Sequence, residues 1–299
     1  MAKRQSLPSG SSDKKARSLK PGSFLYIWWR IRKKPLAMLG LVFVVTLFIL
    51  SFLSPYVCKH EFNEIVMRRR FSLPSTEHLL GCDEVGRDIF SRILYGARYT
   101  LSISILSVML SCVFGTIFGA VAGYFGGITD TLIMRCMDVL QAYPNIMLAI
   151  AIAAVLGAGF DKVIYAIGIC GIPIFARLIR ANILIVRNSE FIEAAASINC
   201  STFRIIALHV IPNTISPIIV QVAMSIAAAA LSASSLSFLG FGVQAPTPEW
   251  GAMLASARGF MRDYPHMVFF PGMFIMLTVL SFSLVGDAIR DALDPKLRD

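Results

Sequence analysis

The chain has 299 residues, 56% of them hydrophobic and 15% charged, with a mean hydropathy of +0.68. A soluble globular domain carries nearer a quarter charged residues, so this composition excludes an ordinary soluble domain and points to an integral membrane protein. The net charge of +10 is concentrated at one end: residues 1–34 hold ten Lys or Arg against Asp13 alone.

That basic, Ser-rich segment predicts a disordered tail, and beside a membrane span it predicts a cytoplasmic location. Positive-inside sorting accounts for the charge, so no nucleic-acid partner is expected. The first uncharged run, Leu36–Leu53, is too long for a signal peptide and is followed by no small-x-small cleavage pattern, so it is expected to remain as an anchor. Further uncharged runs follow at Tyr99–Thr129, Val139–Phe160, Val163–Ala176, Val210–Pro248 and Met267–Gly286. About 20 apolar residues cross a bilayer core as a helix, and the lipid forces every backbone group to be satisfied internally. Six helical spans result, the fifth run holding a span plus a loop.

The fourth run is short. If it crosses, Arg177, Arg180, Arg187 and Arg204 lie on the same side as the tail and as Arg290, Lys296 and Arg298. Lys162 and Arg177 could then snorkel at its two ends. The expected fold is an all-α integral membrane protein with six transmembrane helices and both termini cytoplasmic. Arg68, Arg69 and Arg70, in the loop after the first span, run against the charge rule. Gly115 and Gly119 in the second span and Ala227–Ala230 in the fifth suit close helix packing and imply no function.

Polar residues outside the spans offer few chemical constellations. Six Cys form no CxxC pair; Cys58 and Cys82 share a loop, either as a disulfide or as two free thiols. The four His, at 60, 78, 209 and 266, are dispersed and predict no metal site. Asp83, Glu84, Arg87 and Asp88 could pair internally or meet a partner; Asp130, Arg135 and Asp138, near the cytoplasmic end of the third span, could mark a pathway, or Arg135 and Asp138, three apart, could simply pair with each other. Pro246, Pro248, Glu249 and Trp250 could form a docking surface, or Trp250 could be an interfacial anchor. No GxxxxGK[ST] phosphate loop occurs, so no ATP chemistry is expected on this chain.

Between the fourth and fifth spans lies NSEFIEAAASINCSTFRIIALHVIPN, residues 188–213. Asn188 or Ser189 can cap a helix whose first turns hold Glu190 and Glu193. Phe191, Ala195 and Ile198 share a face, and Asn199 suits a left-handed turn. Ser201 can cap a second helix with Phe203, Ile206 and Val210 on one side. The block reads as helix, turn, helix.

Glu193-Ala194-Ala195, then Asn199, then Pro212 thirteen residues on, resembles the EAA loop of ABC (ATP-binding cassette) importer permeases, with Asn in the usual Gly place. LLGCDEVGRDIFSRILYGAR (79–98), AGYFGGITDTLIMRCMDVLQAYP (122–144), SLSFLGFGVQAPTPEWGAML (235–254) and GDAIRDALDPKL (286–297) are similar to blocks of the C-type permeases of dipeptide, oligopeptide, glutathione and nickel importers. IPIFARLIR (172–180) leans toward the dipeptide and glutathione members. The resemblance implies a type I importer permease fold. It divides the chain into a tail (1–34), a first span with its external loop (35–97), a five-helix core (98–290) and a C-terminal tail (291–299). It implies a homologous second permease, two ABC ATPases holding ATP and Mg, and an extracytoplasmic solute-binding protein, all in or at a bacterial inner membrane. Residues 188–213 would be the coupling helix. Glu193 would make a polar contact to an ATPase, Ala194 and Ala195 would allow close approach, Asn199 would turn, and Ile211 with Pro212 would lead into the fifth span. Nickel or another small solute remains an alternative cargo, and an ion-gradient carrier a more distant one.

Overall fold

The computed structural model describes residues 24–187, 189–190 and 200–293. The described chain is built from helices: α1 (Phe24–Arg32), α2 (Pro35–Val57), α3 (Ile89–Phe125), α4 (Gly127–Gln141), α5 (Asn145–Leu156), α6 (Phe160–Arg187), α7 (Ile215–Phe238), α8 (Trp250–Ala257) and α9 (His266–Leu293). Five of them, α2, α3, α6, α7 and α9, are long and apolar enough to cross a bilayer, and counting the bent pair α4–α5 as one broken span brings the number to six.

Several expected boundaries move, each for a local reason. The third span is not one continuous helix. It breaks at residues 142–144 with a 90° bend, because Pro144 disfavours helical geometry in the residue before it and starts α5 afresh. The fourth span is far longer than its uncharged run: α6 covers 28 residues, because Arg177 and Arg180 lie within it and are neutralised by Asp138 and Asp130 of α4. The second span begins at Ile89, where the Asp88 carboxylate accepts the Ser91 N–H at 2.8 Å and caps the helix. The described part of the tail is helical and packed: Tyr26 and Ile31 of α1 are buried, and Ile31 packs with Ala37 and Ala288, beside the Lys34–Asp291 ion pair.

The centre of the bundle is the contact between α3 and α6. Ser111, Gly115, Gly119 and Gly123 recur every four residues and face α6. A Cβ added at Gly115 would stand 2.4 Å from the Phe175 Cβ, and one at Gly119 would stand 2.5 Å from the Ala176 carbonyl oxygen. Ser111 Oγ donates to the Gly168 carbonyl at 2.7 Å. Lipid gives no hydrophobic drive between helices, so such direct backbone approach supplies the dispersion contact. The same device recurs where Gly40 of α2 meets Ser281 of α9 and Gly286 of α9 meets Ala223 of α7. Much apolar surface stays outside, Ile128 at 87% and Val155 at 88% exposed among it, as a bilayer or a partner requires.

Candidate functional site

The candidate site lies at the end of the bundle where α3 and α6 terminate. Of the expected coupling block, Asn188 and residues 191–199, including Glu193, Ala194, Ala195 and Asn199, lie outside the described residues, as do the side chains of Phe203 and His209. The second half is described. Thr202–Ile205 is α-helical, Ile206–Val210 is a π-helical stretch, and Ile211–Asn213 completes the segment before Thr214 breaks it ahead of α7. Thr214 Oγ1 donates to the Ile211 carbonyl at 2.9 Å.

The π stretch has a cause in the sequence. A proline ring clashes with the carbonyl four residues back, here that of Leu208, and offers no N–H to it. Widening the turn relieves both problems, and the Ile211 N–H bonds the Ile206 carbonyl five residues back. This changes the buried face. A regular helix would align Ile206 with Val210; the wide turn aligns Ile205 with Val210. These two are buried at 2% and 0% exposure, against Ala120 of α3, Ile179 and Ile183 of α6, and Ile218 of α7. Ile206 packs at the margin. Ile211 is half-buried and Pro212 exposed. The described half of the block is thus fastened to the same two helices that the glycine contact joins.

Two ion pairs border this region. Arg180 of α6 grips Asp130 of α4 through both carboxylate oxygens, and Arg177 donates to Asp138 at 2.7 Å. Asp138 therefore pairs across helices, not with Arg135. The signal available in the sequence was two acids and two bases in consecutive segments that must run antiparallel.

At the opposite end of α3, Pro246, Pro248, Glu249 and Trp250 are placed quite differently from a docking surface. Only Pro246 is exposed; Pro248 is buried, and Glu249 and Trp250 have no exposed surface. Trp250 is not an interfacial anchor: its Nε1–H donates to the Ile93 carbonyl at 3.0 Å, and its ring packs near Phe274. Glu249 accepts the Thr100 hydroxyl at 2.9 Å and, as the α8 cap, the Ala252 N–H at 3.1 Å. Gly96 makes room for the Pro248–Glu249 backbone. Burial holds the Glu249 carboxyl above its ordinary value of 4.5.

The loop between α2 and α3 closes over this end. Asp83 accepts the Val85 and Arg87 N–H groups at 3.0 and 2.9 Å and the Arg87 side chain at 2.6 Å, so its cluster pairs internally. Cys58 and Cys82 are both free thiols, and burial, then the Asp88 and Asp83 charges, pushes Cys82 up to about 11. His60 and His78, dispersed in the sequence, meet here with ring centroids 4.5 Å apart.

A helical bundle with crossings of small residues, broken at one span and bearing a helical segment packed across one end, is the architecture of a multi-pass membrane protein. Residues 115–299 match the family of binding-protein-dependent transport system inner membrane components, and residues 23–74 match the N-terminal transmembrane domain of oligopeptide transport permease C. The chain belongs to this family: it is the membrane component, rather than the ATPase, of an ABC importer. It is 43% identical over 269 residues to the dipeptide transport system permease protein DppC of Alkalihalophilus pseudofirmus, covering 90% of this chain and 88% of that one. It is 46% identical over 275 residues to the glutathione transport system permease protein GsiD of Escherichia coli O6:K15:H31, covering 91% and 90%. Among solved structures, an inward-facing MetNI methionine ABC transporter shares the fold, with a TM-score of 0.54 at 14% identity over 67% of this chain and 96% of that one.

Proposed function

We propose that the chain forms, with a homologous second permease, the translocation pathway of an ATP-driven importer of peptides, whether dipeptides, oligopeptides or glutathione. The observation that carries the substrate class is the 43–46% identity, over nine tenths of the chain, to permeases named for dipeptide and glutathione transport. In this reading both termini and residues 188–213 face the cytoplasm of a bacterial inner membrane. Two partner ATPases hold ATP and Mg and receive the coupling block. Glu193 makes a polar contact there, Ala194 and Ala195 allow close approach, and Asn199 turns the chain. Ile211 and Pro212 lead into α7. A solute-binding protein delivers cargo at the other end, where Pro246 is the exposed member of the four candidate docking residues.

The described contacts suit such coupling. A push on the block reaches Ile205 and Val210, then Ile179 and Ile183, and so the α3–α6 pair as a body. ATP closure of the partners would then reorient packed helices rather than bend them.

Affinity purification of the tagged chain in mild detergent is expected to recover a second permease and ATPases. The chain recovered alone, and active in liposomes without ATP, would overturn the reading. Glu193→Lys is expected to abolish ATP-driven uptake of a labelled dipeptide; normal assembly and uptake would remove Glu193 from the coupling role.

A further inference from the structure

We infer that His60, His78 and Glu77 form a binding site for a divalent transition-metal ion, Zn2+ by donor chemistry, in the loop that precedes α3. One donor atom from each residue lies within 4.8 Å of the others, and His60 and Glu77 line a cavity of about 100 Å³ together with Asp88, the partner of His78.

The tautomer of His78 follows from its partner. Its Nδ1 stands 2.9 Å from the Asp88 carboxylate in a buried contact, and an ionised carboxylate can only accept, so Nδ1 carries the proton. In the neutral ring Nε2 is then a lone pair. That atom is buried and has no hydrogen-bond partner. His60 is held more loosely: its Nδ1 stands 3.6 Å from the Glu64 carboxylate, beyond hydrogen-bond distance, and its Nε2 is buried without a partner. An imidazole held by a carboxylate with a vacant buried Nε2 is the outer-shell arrangement that fixes a metal-ligating histidine, and His60 sets a second vacant, buried Nε2 beside it. An orphaned buried polar atom is otherwise costly, and a metal ion would satisfy both.

Glu77 supplies the third donor. Its carboxylate is exposed and lies 4.0 Å from His78 Nε2, while Arg69 pairs with it at 3.0 Å. A carboxylate has lone pairs enough to keep Arg69 and accept a metal. Ligand distances of about 2.0–2.2 Å require the His60 ring to turn and Glu77 to swing inward, which its exposure allows. Lys59 also lines the cavity, and the Glu77 and Asp88 carboxylates offset its charge. Two imidazoles and one carboxylate suit zinc, with a fourth position left for water. The ion would tie the end of α2 to residues 77–78 and, through Asp88, to the α3 cap. It would thereby clip a long loop shut.

The full-length chain in detergent, stripped with chelator, is titrated with Zn2+ by calorimetry and with Co2+ by visible absorption. One ion per chain is expected, with no sulfur-to-cobalt charge-transfer band, and Zn2+ should raise the unfolding temperature. Loss of outer-shell partners alone costs about 10–100-fold in metal affinity, so His60→Ala and Glu77→Gln, which leave the His78–Asp88 pair intact, should each lose at least that. Circular dichroism checks that both variants keep their helix. No binding by the parent chain, equal binding by both variants, or a sulfur band from the cysteines would overturn the proposal. None of these results depends on what the permease carries.

Discussion

Glu249 has no exposed surface, and its two carboxyl oxygens take the Thr100 hydroxyl and the Ala252 N–H. Glu and Trp beside two prolines suggest an outward loop, yet both are sealed against α3. Glu is an uncommon cap, and nothing in APTPEWGAML marks the direction in which it faces; the room made by Gly96, 153 residues earlier, decides it. The pH consequence follows from burial. Because the folded carboxyl is held above 4.5, the folded chain keeps a proton that the unfolded chain releases. The stabilisation is complete below the unfolded value and is lost as pH rises through the folded one. Glu249→Gln keeps a capping oxygen and an amide for Thr100, and thermal unfolding followed from acid to neutral pH should lose that slope. An unchanged slope would place the titrating group elsewhere. Glu249→Ala removes the cap and orphans Thr100, and should cost about 1–3 kcal/mol in the same assay. The Asp130–Arg180 pair is partly exposed and two-pronged; a double-mutant cycle with alanine should return a coupling on the order of 1 kcal/mol.

At the scale of elements, the apolar runs located the five continuous spans and the bent α4–α5 pair but misjudged their ends. Hydropathy stops at a charge, whereas a helix continues if the charge has a partner. Arg92 and Arg98 therefore extend α3 backward, and Arg177 and Arg180 extend α6 forward. Pro144 was visible in the sequence, but a proline can kink or end a helix, and the 90° outcome depends on packing. The π turn before Pro212 was likewise hidden: spacing of three and four selects Ile206, and only the widened turn brings Ile205 to the core. Pro212→Ala removes the clash at Leu208 and should let the segment relax to regular helix, which exchanges the buried residue. Cysteine accessibility at positions 205 and 206 would report it as a reversal of labelling rates. Gly119→Leu places a side chain where even a Cβ meets the Ala176 carbonyl at 2.5 Å. It should destabilise the bundle by about 1–3 kcal/mol or more, read as a lowered unfolding temperature in detergent, while Gly127→Ala, in open space, tests only the backbone strain of its φ of 55°.

For the whole molecule, the family was legible because several sequence blocks occur in order, from residue 79 to residue 297. The placement of His60 against His78 was not, since an eighteen-residue separation carries no periodic signal. One feature of the assembled bundle bears on how its motion can be watched. Ser111, Gly115, Gly119 and Gly123 bring the α3 backbone directly onto Phe175, Ala176, Ile179 and Ile183 of α6, so the two helices cannot slide past one another without parting. The pair is therefore a fixed ruler inside a working transporter. Spin labels on the outer faces of α3 and α6 should keep one separation through every nucleotide state.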